Sequence, residues 1–299
     1  MTDPLPRLSL TDTAEDPLFE RFFSGYEEAF TLPDETEDRD GFAQCLALNH
    51  GPAHDRLAAR YGPFRELCVV ASDAGTDSMI GGANFIAMAP DRTAPGAPVT
   101  ANLNYLYVCP QARGRGVLRR FMQALRALIG GLFDGTAGRP VAIFIEQNDP
   151  FRMSRAAYER DSAHSGMDQF DRLRIWARMQ AHVVDFPYVQ PPLSAEQKAD
   201  GTLIYSVMGL DAPNLSPAVL RRHLAAFFGI SVLKGAPLEE APAAMTQIAM
   251  LDGMIARGES VPLIDPTPFL DGIGDPLALL SRPERPYDMR SALARSIQP

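Results

Sequence analysis

The chain has 299 residues and a formal charge of −9, with 46% hydrophobic and 22% charged residues. This composition is typical of a folded globular protein and excludes disorder as the main state. Its three cysteines cannot all pair and contain no CxxC, which excludes a disulfide framework and a zinc ribbon. The acidic balance argues against a nucleic-acid-binding function.

No apolar run approaches the roughly 20 residues that span a bilayer. The first four residues contain an acid and a proline where a signal peptide would carry positive charge. We therefore expect a cytoplasmic protein with no membrane or nucleic-acid partner, and we expect no metal site.

Hydrophobic periodicity predicts helices over 16–30 and 41–61, the second broken near Gly51. β-rich runs separated by turn residues follow over 65–71, 79–88 and 98–108, which indicates an antiparallel meander. A helix over 117–129 and a short apolar strand over 140–146 come next. The middle of the chain is therefore a strand–helix–strand unit, for which a right-handed parallel crossover is the rule.

The rest of the chain changes from mixed to helical. We predict two helical pieces within 150–180, a strand pair over 182–190 and 202–210, helices over 216–229 and 238–257, and an irregular proline-rich end from Pro262. The fold class is α/β (α+β), a mixed, mainly antiparallel twisted sheet flanked by helices. We expect one domain over 1–211 and a helical, then proline-rich, extension over 212–299 that packs on this domain or on a partner subunit.

The strongest local signal is the run Gln111-Ala112-Arg113-Gly114-Arg115-Gly116 between a strand and a helix. The first N–H groups of a helix lack internal partners, and glycines let a loop backbone approach an anion closely. Basic residues in the first helical turn oppose the helix dipole, so a cluster there points to a bound polyanion. Such a cluster is present as Arg113, Arg115, Arg119 and Arg120. The P-loop and Rossmann patterns are both absent from the chain.

This loop resembles the Q/R-x-x-G-x-G/A loop of the GNAT superfamily of CoA-dependent N-acetyltransferases. The order of elements over roughly residues 5–211 also resembles that fold, and Asp185–Pro191 is similar to a late strand of some members. The resemblance implies acetyl-CoA as co-substrate. Its pyrophosphate would be bound by the backbone amides of Arg113, Gly114, Arg115, Gly116 and Val117. The pantetheine arm would bond to Leu106, Tyr107 and Val108, and Gln111, Arg119 and Asn148 would also contact the cofactor.

The resemblance also implies where catalysis would occur. The backbone N–H of Val108 would stabilise the oxyanion. The central strand carries Asn102 and Asn104 where the family often has a carboxylate base, so Glu146, at the end of the strand 140–146, is the substitute base. Trp176 occupies the region of the usual tyrosine acid, which leaves Tyr158, or else Tyr107, as the acid.

We therefore expect an acyl-CoA-dependent N-acyltransferase, with acetyl as the acyl group and a primary amine of a small molecule or peptide as acceptor. The alternative is a catalytically silent CoA-binding sensor or interaction protein on the same scaffold. A homodimer is left open.

Overall fold

A computed structural model describes residues 4–31, 36–193 and 197–297. The chain divides into two compact units, one made of Met1–Ile143 and Arg222–Glu240, the other of Phe144–Arg221 and Ala241–Pro299. Residues 212–299 are thus shared between the two units. Among the described residues, no helix combines the length and apolar character needed to cross a bilayer.

The first unit is built on four antiparallel strands that neighbour one another in chain order. They are β1 (Arg7–Thr11), β2 (Phe64–Ser72), β3 (Met79–Met88) and β4 (Val99–Val108). The predicted meander corresponds to β2, β3 and β4. β1 was not predicted, because a five-residue edge strand with mostly exposed side chains gives almost no hydrophobic pattern.

A bulge interrupts the pairing of β3 with β4. Asn84 lies opposite Tyr105 and Phe85 lies opposite Leu103, so Asn104 is the extra residue with no partner on β3. Such a bulge bends the strand and redirects its side chains, and bulges are common beside active sites.

Helices cover this sheet. In the first unit these are α1 (Pro17–Ala29), α2 (Arg39–Ala47), α3 (Gly51–Tyr61) and α4 (Val117–Gly130). α1 buries Phe19, Phe22 and Tyr26, at the three- and four-residue spacing of one helix face. These rings pack with Phe42 of α2 and with Tyr107 of β4 in one cluster. The end of α7 (Pro217–Phe227) and a π-helical turn at Phe228–Val232 also belong to this unit.

The second unit contains the remaining strands in the order β5-β7-β6-β9-β8. They are β5 (Val141–Asn148, which begins in the first unit), β6 (His182–Val184), β7 (Leu203–Met208), β8 (Asn214–Leu215) and β9 (Val261–Ile264). β6 is antiparallel to both β7 and β9. A strand was predicted over 182–190, but β6 is only three residues long. Beyond Asp185 the chain turns through Pro187, which has no N–H to donate to a neighbouring strand.

The helices of the second unit are α5 (Arg155–Ser165), α6 (Gln169–Ala177), α8 (Pro242–Arg257), α9 (Thr267–Asp271), α10 (Pro276–Leu280) and α11 (Met289–Ile297). The prediction of an irregular end from Pro262 is wrong. The segment forms β9 and three short helices, and Asp275 accepts the first amides of α10. Leu270, Met289 and Leu293 of this segment are buried against Phe170 and Leu173 of α6.

Candidate functional site

The loop between β4 and α4 adopts a backbone conformation that favours glycine at two positions. After Val108 the chain makes a 3-10 turn at Pro110–Ala112, and then Gly114 and Gly116 take φ of +88° and +68°. A Cβ at Gly114 would meet nothing within 4 Å. Positive φ, and not crowding, is therefore what favours glycine at this position.

The first turn of α4 is open to a ligand. Gly116 is its N-cap, and within the described chain no side chain caps the turn and no acidic residue lies in it. The first internal bond runs from the Arg120 amide to the Gly116 carbonyl at 3.2 Å. The preceding amides, which include Val117, are thus donors with no helical acceptor, at the positive end of the helix dipole.

The arginine cluster surrounds this turn with positive charge. Arg113, Arg115 and Arg119 are exposed, and none of them forms an ion pair with any residue that the structure describes. Arg113 Nε donates to the Val108 carbonyl at 3.2 Å, and Arg120 Nη1 donates to the Arg115 carbonyl at 2.9 Å. These two bonds hold the loop in shape, and they leave Arg113, Arg115 and Arg119 without an ion pair to any described residue.

The end of β4 leads into this loop. Tyr107 and Val108 pair with Gly82 and Gly81 of β3, and the Tyr107 ring is buried against α1. The Tyr107 hydroxyl donates to the Phe22 carbonyl at 2.7 Å, and burial raises the pKa of Tyr107 far above its usual value. The side chain of Tyr107 therefore anchors α1 to the sheet.

Glu146 lies half-buried in β5 of the second unit, and Asn148 follows it in the same strand. The Tyr188 hydroxyl donates to Glu146 Oε1. Tyr188 is buried and stacks on Tyr205, with ring centroids 4.2 Å apart and planes 7° apart. Burial, followed by the Glu146 charge, raises the pKa of Tyr188 well above its usual value. Tyr188 was missed as a partner of Glu146, although it lies in the 185–191 segment that carries the resemblance.

Tyr158 lies in the apolar cluster of the second unit and is 2% exposed. Its hydroxyl donates to Asp168 Oδ2 at 2.5 Å. Burial, and then this hydrogen bond, raise the pKa of Tyr158 far above its usual value. Asp168 also caps α6 through the amide of Phe170, so the pair joins α5 to α6.

The predicted residues thus fall into two groups. The loop, the end of β4 and Arg119 come together in the first unit, whereas Glu146, Asn148 and Tyr158 belong to the second.

A buried carboxylate in the first unit was not predicted. Glu66 of β2 is 1% exposed. Its Oε1 accepts hydrogen bonds from Asn84 Nδ2 at 3.0 Å and from Asn104 Nδ2 at 3.2 Å, and its Oε2 accepts one from Ser231 Oγ at 2.6 Å. Burial raises the pKa of Glu66 to about 7. The signal in the sequence was a lone acid inside the apolar run Arg65–Ala71.

These features fit a ligand that contains phosphate groups. Two glycines with positive φ, open helix amides and three arginines that form no ion pair with a described residue are a donor set that suits a pyrophosphate.

Several solved structures with a similar chain course are acetyltransferases. An acetyltransferase assigned to the GNAT family from Desulfovibrio desulfuricans is 16% identical, with 68% of this chain and 98% of that one covered at a TM-score of 0.37. Arabidopsis thaliana NAA60, crystallised with acetyl-CoA, is 12% identical over 69% and 100% at a TM-score of 0.38. The Escherichia coli ribosomal-protein-S18-alanine N-acetyltransferase is 14% identical over 70% and 99% at a TM-score of 0.35.

No family model and no curated protein matches the chain. At these identities and TM-scores, the assignment of a function depends on the residues of the chain itself.

Proposed function

We propose that the chain is an acyl-CoA-dependent N-acyltransferase that transfers acetyl directly from acetyl-CoA to a primary amine of a small molecule or peptide. The observation that carries the proposal is the open first turn of α4 behind Gly114 and Gly116, with exposed arginines that have no ion-pair partner among the described residues. A neutral ligand would leave this charge uncompensated, whereas a pyrophosphate would pair with it.

The chemistry that acetyl-CoA supplies is a thioester carbonyl with a thiolate leaving group. The chain must then stabilise an oxyanion and take a proton from the attacking amine. We assign the first task to the backbone N–H of Val108 and the second to Glu146. Tyr158 stays a prediction for the acid, and its hydroxyl would have to leave Asp168 in order to act.

Calorimetry with acetyl-CoA on two glycine variants tests the loop. We expect Gly116→Trp to weaken acetyl-CoA binding at least about tenfold, because the indole fills the space in front of the α4 amides. Gly96→Trp is the matched control. Gly96 is also exposed, has φ +75° and has nothing within 4 Å of a built Cβ, so it carries the same backbone strain away from the loop.

Three outcomes distinguish the transferase from a wrong loop assignment and from a CoA-binding sensor. Loss of binding in Gly116→Trp alone, with turnover of at least one amine in a broad panel by the wild type, supports the proposal. Equal binding by wild type and Gly116→Trp refutes the loop assignment. Tight binding without turnover of any amine refutes the transferase and favours the alternative of a CoA-binding sensor.

A further inference from the structure

The central strand β4 carries two asparagines, Asn102 and Asn104, where a carboxylate was expected. In the structure a carboxylate from another strand nevertheless reaches Asn104, to which Asn102 bonds in turn. Glu66 of β2 bonds to Asn84 of β3 and to Asn104 of β4. The three strands are successive neighbours, so the polar chain crosses the sheet from the buried acid to the bulge.

The network is continuous in hydrogen bonds. Asn104 Nδ2 donates to both Glu66 Oε1 at 3.2 Å and Asn84 Oδ1 at 2.9 Å, and Asn102 Nδ2 donates to Asn104 Oδ1 at 3.0 Å. Bonds of this kind to an ionised carboxylate are stronger than bonds between neutral groups, and chains of them polarise one another.

Asn104 is the member of this network that a ligand can reach. It is half-buried, whereas Asn84, Asn102 and Glu66 are all fully buried. Its Oδ1 accepts one hydrogen bond from within the described residues and has a second lone pair. It lies two residues before Leu106, where the segment predicted to hold the pantetheine arm begins.

We infer that Glu66 is a positioning residue for the amine acceptor, acting through Asn104, whose side-chain oxygen accepts a hydrogen bond from the amine nitrogen. The inference rests on the proposed function. The negative charge of an ionised Glu66, on the NH₂ side of Asn104, pushes electron density towards the side-chain oxygen of Asn104, which becomes the better acceptor for an N–H donor. The acid that β4 lacks is in this way supplied from β2.

Groups from the π-helical turn, α2 and β2 interact with Glu66. Ser231, from the π-helical turn, donates to Oε2 and favours the charged form. Cys45 of α2 and Cys68 of β2 interact electrostatically with Glu66, and burial raises the pKa of both thiols, so they stay neutral. Lys234 and Glu37, which form an ion pair with Nζ and Oε2 3.0 Å apart, act on Cys45. Since the pKa of Glu66 is about 7, its charge changes between pH 6 and pH 8.

The test compares kcat/KM for an accepted amine in wild type and Glu66→Gln from pH 6 to pH 8. Glutamine keeps an oxygen for both asparagines and loses the charge. We expect kcat/KM to fall about tenfold at pH 8 and the two proteins to converge at pH 6, where the wild-type acid is protonated. The acetyl-CoA Kd should be unchanged, and comparison at each pH cancels the titration of the amine itself.

Two further variants keep the test decisive. Asn104→Ala should produce the same loss, and adding Glu66→Gln to it should produce no further loss, because Glu66 acts through Asn104. Ser231→Ala removes a bond that favours the charged form, so it should move the wild-type pH step to higher pH. A purely structural role would produce neither result.

Each failure has its own signature. If the wild type acetylates no amine, the proposed function and this inference both fall. If the wild type is active and Glu66→Gln equals it at every pH, only the inference falls. A loss in Glu66→Gln that is the same at pH 6 and pH 8 also overturns it, because the charge would then have no role.

Discussion

The side chains predicted to take part in catalysis differ in the contacts that hold them. Tyr107 and Tyr158 each place the hydroxyl on a protein acceptor, the Phe22 carbonyl and Asp168. Glu146 is different, because it is half-buried and its Oε1 accepts a hydrogen bond from a buried tyrosine. A half-buried carboxylate that a buried tyrosine hydroxyl orients suits a base that takes a proton from an amine.

Replacement of Glu146 by glutamine tests this role. We expect Glu146→Gln to lower kcat about 100-fold, because an amide cannot accept the proton, while its oxygen still accepts the Tyr188 hydroxyl. Acetyl-CoA binding by calorimetry should match wild type. Undiminished turnover in this variant would assign the base to another group.

The sequence could predict a candidate site where one short segment contains all of its residues. The loop from Gln111 to Gly116 is such a segment, and its positive-φ glycines and exposed arginines were predictable from their order. Glu66 was not, because its role depends on Asn104, 38 residues away, and on Ser231, 165 residues away. No local pattern records contacts made by tertiary packing.

Among the secondary-structure elements, α4 has one feature that stabilises it and one that destabilises it. Its apolar face buries Val117, Phe121 and Leu125, which stabilises it on the sheet. Its first turn carries Arg119 and has no acidic residue, an arrangement that is unfavourable for an isolated helix. The helix is therefore less stable than it could be at the end where a polyanion would bind.

Reversal of the charge at Arg119 separates stability from binding. We expect Arg119→Glu to stabilise the ligand-free protein by about 0.5 kcal/mol, since an acid in the first turn interacts favourably with the helix dipole. The same variant should bind acetyl-CoA at least about tenfold more weakly, with the deficit shrinking as salt is raised. Thermal unfolding and calorimetry measure the two effects.

Arg178→Ala is the control, because Arg178 is an exposed arginine at the end of α6 and belongs to the second unit. If Arg119→Glu binds acetyl-CoA as tightly as this control, then the first turn of α4 does not face the cofactor.

Elements with a long periodic pattern were predicted well, and short or proline-containing ones were not. α1, β3 and α4 lie within a residue or two of their predicted bounds. β1 and β9 were missed, at five and four residues, because each is defined by its partner strand and not by alternation. Pro262 in β9 is a local signal against a strand, and the pairing with β6 and β8 overrides it.

Each of the two units of the whole molecule is made of two separate stretches of the chain, so a fragment that ends at residue 211 lacks part of both units. Arg222–Glu240 belongs to the first unit and supplies Ser231 to Glu66 and Arg222, whose Nη1 donates to the Ala89 carbonyl at 2.7 Å. β9 of the second unit pairs with β6. A chain of residues 1–211 would lose all of these contacts, so we expect it not to unfold cooperatively.

Circular dichroism and thermal melting of a 1–211 fragment test this expectation, and co-expression with a 212–299 fragment should restore a cooperative transition. A fragment 1–211 that melts as sharply as the full chain would instead establish the predicted boundary at 211/212 as that of an independent domain.

The same path has a consequence for synthesis on the ribosome. The first unit includes residues up to Glu240, so it stays incomplete while the 144–221 segment between its two parts is made. At about 5–20 residues per second, that segment takes roughly 4 to 16 s to emerge. Throughout this interval Glu66 has no Ser231 to donate to it, so the nascent sheet contains a carboxylate that lacks one of its partners. The nascent chain thus has a period of several seconds in which a chaperone that shields unfinished sheets would have most effect.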